Sequence, residues 1–198
     1  MSQVELFQEG AELPSGLAYV PQFLSAEEEA QALAGIAALE LREARYKDYT
    51  ANRRVASFGA GYDFVEQELV PAPAIAPFLL PLRDKAAGLA RIPPDALGYA
   101  LVAEYRPGTQ LGWHRDVPQF ERVVGISLAG TATMRFRRFP PRARAKILTL
   151  ELQPRSAYVL REEARWGWQH SIAPTPELRY SITFRSRSYT TPSSTSLR

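Results

Sequence analysis

The 198-residue chain contains no cysteine and only two histidines. Without cysteine there is no disulfide and no thiolate, so a metal site has to be built from histidine, carboxylate and water, which are hard to intermediate ligands. No run approaches the roughly 18 apolar residues that a membrane helix needs. The N-terminus, MSQVELFQEG, lacks the basic start and apolar stretch of a signal peptide. A soluble, cytoplasmic protein without membrane contact is the expectation. There is also no internal repeat, heptad or obvious interface stripe, which leaves a monomer as the expected state. The net charge of +3 is too small to name a polyanionic partner by itself.

What is present is the composition of a folded protein: 45% hydrophobic, 11% aromatic and 23% charged residues. The length suits one domain over 1–198, folded from about 18 to 189, with 190–198 as a polar, flexible tail. Two helices are expected early. In FLSAEEEAQALAGIAAL, Ser25 and Glu28 form a capping box, and Ala30, Leu33, Ile36 and Ala37 follow at helical spacing. In PFLLPLRDKAAGLA, Pro77 stands near the start, while Pro81 either kinks the helix or delays it. From residue 97 the pattern becomes strand-like: LGYALVAEY, VVGISLAG, ATMRFRRF, KILTLEL, SAYVLR and RYSITFRSR. Helices followed by many short strands predict an α+β chain whose second half is an antiparallel sandwich or barrel, of which the jelly roll is the common form.

Residues two apart on an extended segment face the same side, so His114 and Asp116 in QLGWHRD can offer one ion an imidazole nitrogen and a carboxylate oxygen. The other histidine, His170 in RWGWQHSI, lies near another strand-like run that a barrel can return to the first pair. Two histidines and one carboxylate make a facial triad suited to non-haem Fe(II) and oxygen chemistry; two hydrogen-bonded structural histidines are the competing reading. The last strand bears on the choice. In RYSITFRSR, Arg179, Ser181, Thr183 and Arg185 face one way, and Tyr180, Ile182 and Phe184 the other. If the apolar side meets the helices, the arginines look into the barrel mouth, where a bound dicarboxylate would neutralise them. The two arginines start about 20 Å apart, so Arg179 is the stronger candidate.

YRPGTQLGWHRD, then WQHSI, then RYSITFR resembles, in order and spacing, the motif set of the AlkB-type Fe(II)/2-oxoglutarate-dependent dioxygenases. The resemblance covers roughly residues 18–187 and implies a double-stranded β-helix (jelly roll) core with N-terminal supporting helices and a substrate-recognition lid. It implies His114, Asp116 and His170 as iron ligands. Arg179 would pair with the distal carboxylate of 2-oxoglutarate, Arg185 would lie near its other end, and Tyr105 would hydrogen-bond it. NRRVASFGAGYDF (52–64) resembles the lid, where Arg53, Arg54, Phe58 and Tyr62 would combine phosphate contact with base stacking. The acid-free stretch MRFRRFPPRARAK (134–146), with Arg135 and Arg137, is either a phosphate-binding surface or a solvated hairpin face.

Three positions depart from the founding members. Ala103 replaces an asparagine that hydrogen-bonds the cosubstrate, Pro118 replaces a second acid beyond the iron aspartate, and the lid tryptophan has no counterpart, so Phe58 is the expected stacking residue. The resemblance implies an enzyme using Fe(II), 2-oxoglutarate and O2 for oxidative demethylation or dealkylation of N-alkylated bases in single-stranded or flipped-base nucleic acid, DNA or RNA. The alternatives are a hydroxylase or demethylase of protein or small molecules and, in another class, a non-catalytic nucleic-acid-binding module.

Overall fold

The computed structural model describes residues 13–46, 49–63 and 68–188; the side chains of 44–52 and 61–68 lie outside that description, as does the expected tail at 190–198. The chain runs β1 (Leu17–Val20), α1 (Ala26–Ala37), β2 (Arg42–Tyr46), β3 (Tyr49–Phe58), β4 (Ala60–Asp63), β5 (Glu68–Pro71) and α2 (Leu80–Ala90). It continues through β6 (Tyr99–Tyr105), β7 (Leu111–His114), β8 (Phe120–Leu128), β9 (Ala132–Arg138), β10 (Leu148–Leu152), β11 (Ala157–Leu160), α3 (Glu162–Trp166), β12 (Trp168–Ile172) and β13 (Arg179–Arg187). Seven strands form a major sheet in the order β1-β11-β8-β13-β6-β3-β2, and four form a minor sheet, β10-β9-β12-β7. Every strand pair is antiparallel. This is the jelly roll that the motifs imply, with β4 and β5 as a separate hairpin.

Side-chain alternation builds two cores from one sheet. Val102 of β6, Val124, Ile126 and Leu128 of β8, and Ile182 and Phe184 of β13 meet the helices, packing on Ile36 of α1 and on Leu82, Ala86 and Ala90 of α2. The intervening residues point to the minor sheet, where Ala103, Tyr105, Val123 and Tyr158 join Met134, Phe136, Leu150 and Trp168. The capping box of α1 forms as expected: Ser25 Oγ accepts from the Glu28 amide at 3.1 Å, and Glu28 Oε2 accepts from the Ser25 amide at 2.7 Å. Pro81 delays α2 rather than kinking it. A 3-10 turn over Pro77–Leu79 comes first, the helix starts at Leu80, and Arg91 in the left-handed region (φ 55°) ends it.

The expected order, helices and then strands, is corrected in one respect. The N-terminal half supplies β1, β2 and β3 to the major sheet. The segment expected as a lid is therefore mostly an internal strand, β3, with β6 on one side and β2 on the other; only its end, from Ala60, leaves the sheet for the β4–β5 hairpin. The reversal at Gly59 admits no side chain, because a Cβ there would stand 2.0 Å from the Gly98 carbonyl oxygen and φ is +77°. Among the described residues, no helix is long and apolar enough to cross a membrane.

Candidate metal centre

His114, the last residue of β7, pairs in register with His170 of β12. Directly opposed residues share a sheet face, so both imidazoles turn to the inner side of the minor sheet, with ring centroids 4.2 Å apart. Asp116 follows two residues on and brings Oδ2 to 3.5 Å from His170 Nε2. Ligand atoms of the three residues lie within 4.8 Å of one another. The surroundings prepare each donor. The Gly112 carbonyl lies 2.9 Å from His114 Nδ1, and with Nδ1–H donating to it, the Nε2 lone pair is left for a metal. Arg185 Nε donates to Asp116 Oδ1 at 2.8 Å, which leaves Oδ2 for the same purpose.

Burial and charge set the protonation states. Burial, reinforced by His114 alongside, pulls His170 down to about 3; burial also lowers His114. Burial alone would raise Asp116, but the Arg185 guanidinium and the two histidines hold it well below the usual carboxylate range. At neutral pH the centre is two neutral imidazoles and one ionised carboxylate, the form that ligates a divalent cation. This N2O donor set, confined to one side of the ion, fits Fe(II) with positions open for other ligands.

These side chains border a cavity of about 490 Å3 between the sheets. Arg179, Ser181, Thr183 and Arg185 of β13 all line it, as the strand alternation predicts. Arg179 is 1% exposed. Its Nε donates to Ser127 Oγ at 2.9 Å, its guanidinium lies 5.0 Å from the Tyr105 ring centre, and its buried Nη1 has no partner. A buried cation with a spare donor, on a residue that lines a cavity, fits a ligand carboxylate, so 2-oxoglutarate suits this pocket. Tyr105 also lines the cavity, its hydroxyl accepting from Arg53 Nη1 at 3.3 Å.

Most of the expected substrate residues fall elsewhere. Along β3, Arg53, Val55 and Ser57 line the cavity, so Arg54 and Phe58 face away. Arg54 is held by both oxygens of the buried Glu104, at 2.8 and 2.7 Å. Phe58 is 7% exposed within the core beneath the helices, which removes it as a stacking platform. Tyr62 pairs with Leu69 in the β4–β5 hairpin, and its side chain is outside the described residues. Arg135 and Arg137 do not line the cavity either, because Met134 and Phe136 take the inward positions of β9. They stack over Trp113 and donate to Ser171 Oγ at 3.0 Å and Gln169 Oε1 at 2.8 Å.

Sequence reading missed three residues at the site. Ser127 and Tyr158 sit on β8 and β11, and Tyr158 lies so close over Gly125 that a Cβ there would be 2.3 Å from the ring; a glycine opposite an aromatic is the one available signal. Arg165 of α3 is 2% exposed, and its Nη2 donates to the carbonyls of Asp116, Val117 and Phe120 at 3.0, 2.7 and 2.8 Å.

A family model described as the 2OG-Fe(II) oxygenase superfamily matches residues 16–185. Over 135 residues the chain is 30% identical to a protein of Acanthamoeba polyphaga mimivirus designated Uncharacterized protein L905, covering 62% of this chain and 63% of that one. The chain thus spans just under two thirds of that relative. Among solved structures it is similar to OsALKBH1, at 15% identity and a TM-score of 0.65, over 88% of this chain and 99% of that one. It is also similar to a Pseudomonas putida prolyl-4-hydroxylase, at 17% identity and a TM-score of 0.59, over 87% and 93% of the two chains. At these identities the likeness is one of fold.

Proposed function

Since this chain belongs to the 2OG-Fe(II) oxygenase superfamily, whose members use Fe(II), 2-oxoglutarate and O2, we propose that it oxidatively removes alkyl groups from nitrogen atoms of nucleic-acid bases. The oxygenase part rests on Arg179, a cavity-lining residue with a buried, unpaired Nη1, in the same cavity that the three metal ligands border. When bound, iron and 2-oxoglutarate supply, with O2, the hydroxylation of a C–H bond as the cosubstrate is converted to succinate and carbon dioxide. Hydroxylation of an N-methyl group gives a hemiaminal, which loses formaldehyde and restores the N–H.

The chain's residues do the holding and orienting. His114, Asp116 and His170 bind the metal, and Arg185 keeps one Asp116 oxygen engaged so that the other is presented. Arg179 receives the distal carboxylate of 2-oxoglutarate, with Ser127 fixing its Nε. Ala103 offers no hydrogen bond where an asparagine would, and on the neighbouring strand β3 Arg53 brings a guanidinium to the Tyr105 hydroxyl. Apolar walls from Leu111, Met134 and Ile172 keep water from the reacting carbon.

The charge next to the cavity favours a nucleic-acid substrate. Arg53 and Arg115 line the cavity, and the exposed Arg142 and Arg144 lie beyond it on the β9–β10 connection. A base stacked in a duplex cannot reach a metal recessed in a cavity between two sheets, so the base has to come from a single strand or be flipped out. The test is mass spectrometry of single-stranded DNA and RNA oligonucleotides carrying N-methylated bases, incubated with the protein, Fe(II), 2-oxoglutarate and air. Loss of a methyl mass with wild type and not with His114→Ala is expected. Succinate accumulating over intact oligonucleotides would overturn the substrate class and point to protein or small molecules.

A further inference from the structure

Beyond the cavity, the cations of the 134–146 segment divide into two sets. Arg135 and Arg137 are occupied on the outer face of the minor sheet, and Arg138 is ion-paired with Glu163. Arg142 and Arg144 are exposed and line a second cleft, formed by the β9–β10 connection and residues 13–15. The two openings meet at one contact. Arg115, the residue between two metal ligands, lines the cavity, and its guanidinium stacks 3.7 Å from the centre of the Phe139 ring. Phe139 in turn lines the second cleft. Arg115 also donates to the Trp166 carbonyl at 3.1 Å. Phe139 and Trp166 are 41% and 39% exposed, unusual for large aromatics, and the Trp166 ring lies 4.2 Å from the Arg165 guanidinium.

Exposed aromatics interleaved with guanidinium groups, leading from the cavity to a basic cleft, match what a single strand presents: bases to stack and phosphates to neutralise. We infer that the surface from Arg115 across Phe139 to Arg142 and Arg144 is a track for the strand flanking the target base. Phe139 and Trp166 stack on neighbouring bases, and Arg142 and Arg144 contact phosphates. This rests on the nucleic-acid reading of the cavity and adds to it a direction of approach, and a reason for longer strands to bind more tightly than short ones.

The experiment is fluorescence anisotropy with a labelled, unmodified oligothymidylate about fifteen nucleotides long, and with a trimer, across a salt series. Wild type should prefer the long strand, with affinity falling steeply as salt rises. In Arg142→Glu/Arg144→Glu the log–log salt slope should shrink by about 1.4, at about 0.7 per lost phosphate contact on a single strand, and the preference for the long strand should collapse. Arg142→Lys/Arg144→Lys should keep most of the slope, since it retains both charges. Phe139→Ala should weaken binding about tenfold with the slope unchanged, as loss of one stacked base predicts. Wild-type slope and length preference in the double glutamate variant would overturn the track while leaving the dealkylation reading standing. Absence of salt-sensitive binding by wild type to either strand would remove both.

Discussion

Among the described residues no acid meets the buried charge of Arg179, so its removal should separate ligand binding from folding. Arg179→Met is expected to raise the 2-oxoglutarate concentration for half-maximal succinate formation by about 10- to 100-fold, the worth of a charge-assisted hydrogen bond. The same substitution should leave the melting temperature of the ligand-free protein unchanged or higher, because an uncompensated buried charge is costly. An unaltered 2-oxoglutarate dependence would count against the carboxylate clamp. His170 gives a second test at this scale. Its ordinary pKa is 6.5 and the fold pulls it to about 3, so between those values the unfolded chain takes up a proton that the native state refuses, and stability falls with pH. Asp116, held below its ordinary 3.8, contributes stability above that value and loses it on further acidification. Melting of the metal-free protein should therefore drop from about pH 7 to about pH 4, and His170→Gln should flatten the decline. Much of this site was legible because its signals are local: one of only two histidines, an aspartate two residues on, and period-two alternation in RYSITFRSR. In the lid segment both Arg53 and Arg54 were candidates, and the structure separates them: Arg53 and Ser57 line the cavity, whereas Arg54 and Phe58 face away. Nothing in NRRVASF marks which face is inward, since each face carries an arginine.

At the scale of elements, α3 is five residues long, too short for a periodic signal, and it was not foreseen. It nonetheless places Arg165 where a single Nη2 serves carbonyls at 116, 117 and 120. We predict that Arg165→Ala lowers metal affinity about 10- to 100-fold, the usual cost of losing an outer partner of a ligand, with Arg165→Lys recovering part of it. Titration of the metal-free variants with Co(II), followed by the visible spectrum, reads this without turnover; equal affinities would mean that the loop holds its shape unaided. The edge strands were missed for another reason. β2, REARY, is mostly charged and β1 is only four residues long, and edges carry charge and stay short so as not to recruit further strands. A strand protected in that way loses the alternation by which strands are recognised, and its partner lies far along the chain: β1 pairs with β11.

For the whole molecule, one sheet faces two interiors of different kinds, one apolar and sealed by helices, the other open and polar where the ligands bind. Damage to the first should spare the second. Leu79→Ala, at a fully buried site in the turn that leads into α2, is expected to cost about 2–5 kcal/mol in urea unfolding with no change in the 2-oxoglutarate concentration for half-maximal rate. A parallel shift in both would show that the two interiors are coupled. The unpaired Nη1 of Arg179 has a consequence of this wider kind. A ligand that binds only the native state adds stability of about RT ln(1 + [L]/Kd), near 2.7 kcal/mol at a hundredfold excess over Kd. If 2-oxoglutarate is the ligand of Arg179, its scarcity should leave more chains open and exposed to proteases, so the amount of protein should fall with its supply; limited proteolysis with and without 2-oxoglutarate checks this.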